Sequence, residues 1–233
     1  EDSYIAILNK PSGLLTHKKN GHDKSPNLQD SLKKQFTITD DENLKEGIVH
    51  RLDKDTSGII IITKDKISKY KFREMFKKKI IKKNYLAFTY GILNKGNLEI
   101  NKNILRDKVR RTKYNVSKNF GKNAITKVSN IKTFYGSLSL LDCEIITGRT
   151  HQIRVHLLSL GLPIIGDKDY NFKKEQVFRL NNMSSNLKEL VSKFPRQALH
   201  SYKIEFIHPI SEKQIKITCD LPDDMKDLNN NLQ

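Results

Sequence analysis

Nine consecutive residues, His50-Arg51-Leu52-Asp53-Lys54-Asp55-Thr56-Ser57-Gly58, bring together one imidazole, two carboxylates, two cations and two hydroxyls. Gly58 allows a tight entry into the β-branched run at 59–62, so the segment reads as a loop held against a buried strand. Loops on a rigid scaffold are where reactive side chains concentrate. The plain alternative is a solvated, salt-bridged turn, which the apolar run that follows makes less fitting. A kinase catalytic loop requires Asp directly after Arg and a later Asn, but here Leu52 intervenes and residues 54–57 contain no Asn. A metal-dependent nuclease could use Asp53, Asp55 and His50, yet no second acidic cluster completes a two-metal site.

A second group is Gly148-Arg149-Thr150-His151-Gln152-Ile153-Arg154-Val155-His156. On a helix, His151 and Arg154 share a face. Ile153, Leu157 and Leu160 form an apolar stripe beside Arg154, which predicts a partly buried guanidinium in need of a carboxylate. The spacing of five between His151 and His156 differs from the four of a helical zinc pair. A third group, Lys82-Lys83-Asn84-Tyr85-Leu86-Ala87, sets a tyrosine at the start of a strand behind basic residues.

These groups need elements to hold them. Alternation and turn residues predict strands at 4–9, 59–63, 84–90, 124–134, 137–147, 198–207 and 214–219. Helical spacing predicts helices at 28–36, 67–80 (with Tyr70, Met75 and Phe76 inward), 150–160 (with Thr150 as N-cap and Gly161 after its end), 187–194 and from 223. Residues 37–46 read as a polar loop, 106–122 as basic and irregular, and 181–185 as a polar linker. Strands outnumber helices, and few strand–helix–strand units of parallel type occur. The expected class is α+β with a mainly antiparallel sheet flanked by helices, in one domain over residues 1–233.

Lys and Arg number 43 against 26 Asp and Glu, a net charge of +17, which favours a polyanionic partner. No apolar run approaches the ~20 residues of a membrane span, and no signal pattern opens the chain. A cytoplasmic protein is expected. Cys143 and Cys219 have neither zinc nor disulfide spacing, so both read as buried thiols.

Together the three groups resemble the RluA-type family of pseudouridine synthases, in its ribosomal large-subunit branch. The first matches the catalytic motif, with Asp53 at its aspartate. Tyr85 falls on the tyrosine of the second motif and Arg154 on the arginine of Gly-Arg-Thr-His-Gln-Ile-Arg-Val-His. Asn9-Lys10-Pro11-Ser12-Gly13-Leu14, Gly161-Leu162-Pro163-Ile164-Ile165-Gly166-Asp167 and Arg196-Gln197-Ala198-Leu199-His200 with His208-Pro209 follow in the family's order. The resemblance implies a mixed sheet with an RNA-binding cleft, no metal and no cofactor. It also implies that the chain starts at the catalytic domain, an N-terminal RNA-binding module being absent or removed.

The implied reaction is isomerisation of uridine to pseudouridine, most fittingly in large-subunit (23S) ribosomal RNA. Asp53 acts at the ribose as nucleophile or base, paired with Arg154, while Tyr85 stacks on the detached base. Arg51, Thr56, His151 and Leu199 are the expected substrate-binding residues, Arg51 filling the space of the extruded nucleotide and Leu199 giving an apolar wall. The basic stretches at 77–83 and 106–122 are expected to grip phosphates. A monomer is expected. The same chemistry on transfer RNA, a non-catalytic RNA-binding or ribosome assembly protein, and a metal-dependent nuclease are the alternatives.

Overall fold

The computed structural model describes residues 1–18, 24–35, 47–94, 96–171 and 183–233. The chain forms two compact units, Glu1–Lys82 with Ser201–Asp220, and Lys83–His200 with Leu221–Gln233.

In the first unit, β1 (Ile5–Lys10) runs antiparallel to β2 (Ser57–Thr63), with Ile5 opposite Thr63 and Lys10 opposite Gly58. β2 lies between β1 and β8 (Leu199–Ile207), and β8 pairs antiparallel with β9 (Gln214–Thr218). Every residue of β2 is buried, which explains its unbroken apolar run: a strand covered on both faces has no polar side to alternate with. Ile59 and Ile61 pack with Ile5, Ile204 and Phe206 on Phe72 and Met75 of α2 (Lys66–Lys78). Asp65 caps that helix, its carboxylate accepting the Ser68 N–H at 2.8 Å. The helix α1 (Leu28–Gln35) buries Leu28 and Leu32.

In the second unit, β3 (Lys82–Tyr90), β7 (Leu138–Ile145), β6 (Lys122–Phe134), β4 (Asn97–Arg106) and β5 (Tyr114–Ser117) follow one another in that order, every pairing antiparallel. Among the described residues three helices accompany them, α3 (Gln152–Ser159), α4 (Ser185–Ser192) and α5 (Asp223–Asn231). The fold is α+β with mainly antiparallel strands and flanking helices, as expected. Among the described residues no helix is long and apolar enough to cross a membrane.

Several expectations are corrected. Tyr70 is 69% exposed. The inward face is set by Phe72, and a residue two positions away points about 200° round the helix. Residues 106–122 are not irregular: β5 stands there, and β4 precedes it. Both escaped notice because β4 has only Ile100 and Ile104 buried, so its alternation is weak. Cys143 is buried but Cys219 only partly so. Residues 36–46 and 181–182, where a helix end, a loop and part of a linker were expected, lie outside the described residues.

Gly58 has φ +115, and a Cβ there would stand 2.2 Å from the Ser201 carbonyl oxygen on β8. Both the conformation and the backbone clash exclude a side chain. Gly58→Ala is expected to cost about 3 kcal/mol or more, read as a fall of roughly 6–12 °C in a thermal melt. An unchanged melting temperature would contradict this close approach of β2 and β8.

Candidate active site

The loop before β2 is tied down from below. Lys10, 1% exposed, directs its ammonium at three carbonyl oxygens, those of Pro11 (2.8 Å), Leu14 (2.8 Å) and Lys54 (3.1 Å). The last of these crosses 44 residues of sequence and lies next to Asp53 in the chain. The buried Thr16 hydroxyl donates to the Leu52 carbonyl (2.8 Å) and accepts the Leu52 N–H (3.2 Å). A tight turn follows, the Thr56 N–H donating to the Asp53 carbonyl at 3.1 Å. His50 is structural: its Nε2 accepts the Ile61 N–H at 2.8 Å, which sets the ring tautomer with the proton on Nδ1. The result is a turn with Leu52, Thr56 and Ser57 buried, Asp53 half-buried and Arg51 exposed. A carboxylate held this way meets a ligand in one geometry and is not buried in the core.

In the second unit, Tyr85 on β3 is 5% exposed and shares its face with Lys83 and Ala87. Lys83, expected with 77–83 to grip phosphates, is instead buried at 8% exposure, and that burial pushes its ammonium down to about 8.

Arg154 on α3 is 5% exposed, and two carboxylates of its own unit hold it. Its Nε and Nη2 form a fork on Asp167 at 2.7 and 2.9 Å, and Nη2 also donates to Asp169 at 3.0 Å. The Asp167 side chain is fully buried and also accepts the N–H groups of Asp169 (3.0 Å) and Tyr170 (3.1 Å). The guanidinium lies 4.8 Å from the centre of the Tyr170 ring. The Tyr170 hydroxyl accepts the Tyr114 N–H at 2.7 Å and shares a hydrogen bond with His151 Nδ1, also at 2.7 Å. Burial pushes the Tyr170 phenol well above its usual range, which keeps it protonated.

His151 and Arg154 therefore meet through Tyr170 and not on one helical face. His151 is not helical: it has φ 56 and stands as the residue before α3, so Thr150 is not the cap. Leu199, 4% exposed, opens β8. Its carbonyl, with that of Gln197, faces Arg196, whose guanidinium forms a fork on Asp224 of α5 at 2.6 and 2.8 Å. Thus Arg51, Asp53 and Thr56 share the turn of the first unit, while Tyr85, His151, Arg154 and Leu199 belong to the second. Lys10, Thr16, Asp167 and Tyr170 support them and were not singled out by sequence; Lys10 and Asp167 lie inside motifs already noted, but partner choice leaves no local pattern. Among the described residues no three His, Cys, Asp or Glu side chains converge as metal ligands.

The helix carrying Arg154 is locked by His156, which is fully buried and bonded to the Thr126 hydroxyl at 2.9 Å. Burial lowers its imidazole to about 4, against 6.5 for the free group. Above pH 6.5 neither the folded nor the unfolded chain carries this proton. Between 6.5 and 4 only the unfolded chain takes it up, so stability falls on acidification, by about 3 kcal/mol at pH 4. Denaturant titrations of wild type and His156→Gln at pH 7 and 4.5 should show the larger acid loss in wild type. Equal losses would remove His156 as the cause.

The sequence profile of the family described as RNA pseudouridylate synthase matches residues 4–159. Ribosomal large subunit pseudouridine synthase D of Nitrosomonas europaea is 36% identical over 225 residues, 97% of this chain and 62% of that protein. Ribosomal large subunit pseudouridine synthase C of Buchnera aphidicola subsp. Baizongia pistaciae is 38% identical over 222 residues, 95% of this chain and 65% of that one. The chain thus spans a little under two thirds of the length of these two relatives. The solved structure of human RNA Pseudouridylate Synthase Domain Containing 4 superposes with a TM-score of 0.78 at 23% identity, over 100% of this chain and 91% of that one, and shows the same fold. The matched span takes in the Asp53 turn, Tyr85 and Arg154, and the chain belongs to the RNA pseudouridylate synthase family.

Proposed function

We propose that this chain isomerises uridine to pseudouridine in large-subunit ribosomal RNA, as a cytoplasmic monomer with no cofactor and with residues 1–233 acting as one catalytic domain. The observation that carries this reading is the Asp53 turn: a half-buried carboxylate, fastened through its neighbours to Lys10 and Thr16, inside the span that matches the family. The names of the two bacterial relatives support ribosomal RNA over transfer RNA, and the net charge of +17 suits a phosphate backbone.

In this reading the bond from ribose C1′ to uracil N1 breaks and a bond from C1′ to C5 forms. The C5 proton leaves to solvent and N1 gains one, so no electrons are exchanged. Asp53 acts at the ribose, as nucleophile or base. Tyr85 stacks on the freed base, and Arg154 supplies a fixed positive charge for the carboxylate chemistry. Arg51 occupies the space of the extruded nucleotide, with Thr56, His151 and Leu199 around the substrate. Ribosomal RNA carrying uridine tritiated at C5 should release tritium to water on incubation with the protein in EDTA. Chain cleavage, or binding without release, would refute the synthase.

A further inference from the structure

β5 is only four residues long, yet the turns at both its ends are basic. From Arg106 to Lys122, ends included, stand seven Lys or Arg residues and a single acid, Asp107. The second turn, Lys118-Asn119-Phe120-Gly121, joins β5 to β6. These two strands pair with opposite edges of β4, with Ser117 and Asn123 both opposite Asn103. The turn must therefore arch over β4. Gly121 makes the arch close-fitting: its φ is +98, and a Cβ there would stand 2.5 Å from the Ile104 carbonyl oxygen. The Ser117 hydroxyl accepts the Phe120 N–H at 3.1 Å.

On this arch Phe120 is 72% exposed. A single exposed apolar side chain is ordinary. This one differs in its neighbours and its support. Lys118 and Lys122 flank it on exposed positions, and Arg149, also exposed, reaches β6 by donating from Nε to the Asn123 carbonyl at 3.0 Å. A rigid aromatic face among cations suits one kind of ligand, a polyanion with flat apolar groups along it, which describes unpaired RNA.

We propose that Phe120 is a stacking platform for an unpaired base of the RNA substrate, with Lys118, Lys122 and Arg149 on the flanking phosphates. The inference rests on the RNA reading above and adds to it where single-stranded RNA is held outside the reacting residues.

The sequence contains no tryptophan, so Phe120→Trp places one fluorophore at the platform. Single-stranded oligouridylate should quench its emission saturably, in step with the anisotropy of a labelled strand. Heparin, which has charge but no bases, should bind without quenching. Phe120→Ala should weaken oligouridylate binding roughly 5- to 100-fold, whereas Phe120→Trp keeps it, and neither should shift the thermal melt. Undiminished binding by Phe120→Ala, or RNA bound to Phe120→Trp without quenching, would overturn the platform and leave the synthase reading standing. Failure of the wild type to bind any RNA would overturn both.

Discussion

Asp53→Ala should abolish tritium release from C5-labelled uridine in RNA, a loss of roughly 10⁴-fold or more, while RNA binding changes less than about threefold. The size of the effect follows from the role proposed: a group that attacks the ribose or removes its proton has no substitute at the same atom. The selectivity follows from the structure. Asp53 is half-buried at the head of a turn whose backbone is held by Lys10 through Lys54 and by Thr16 through Leu52. Those bonds run from Lys10 and Thr16 to the backbone of Lys54 and Leu52, so they persist when the Asp53 side chain is shortened. Asp55→Ala, two residues on in the same turn, is the matched control and should keep activity within about tenfold. Tritium release by Asp53→Ala would end the proposed mechanism, and equal loss in both variants would point to the shape of the turn.

The second large effect is expected at Asp167, a residue outside the reacting set. Its side chain is fully buried and forms the two-bond fork on Arg154. Asp167→Ala leaves a buried guanidinium short of its main counterion, which costs about 3–5 kcal/mol and should lower the melting temperature by roughly 6–20 °C. Where the protein still folds, kcat should fall about 100-fold with KM little changed, because a misplaced charge harms the transition state more than RNA binding. Adding Arg154→Met to Asp167→Ala separates stability from chemistry. Removing the stranded charge should restore most of the melting temperature, since Asp169 retains solvent access, but no activity. If activity returns along with stability, Arg154 is structural only.

The contrast between these two residues shows what could be read without coordinates. Asp53 was legible because its setting is local: a dense polar turn, a glycine and a fully buried strand are consecutive in sequence, and β-branched residues covered on both faces leave an unbroken apolar run. The same holds for the α+β class, for the presence of α2, for the basic balance, and for the order of the motifs that marks the family. The pairing of Arg154 with Asp167 and Asp169 was not legible, nor was the meeting of His151 with Arg154 through Tyr170. Tyr70 was assigned to the wrong face of α2, and β4 and β5 were overlooked because their polar pattern makes sense only once each strand has its neighbours. By itself the sequence determined that residues 50–58 form a polar turn before a buried strand and which of the main segments must be buried, because those follow from short-range periodicity. The tertiary structure alone decided which carboxylate holds which cation, and which backbone carbonyls hold the Lys10 ammonium, because hydrogen-bond and ion-pair partners are chosen by proximity in space, 44 residues apart in the chain for Lys10 and Lys54.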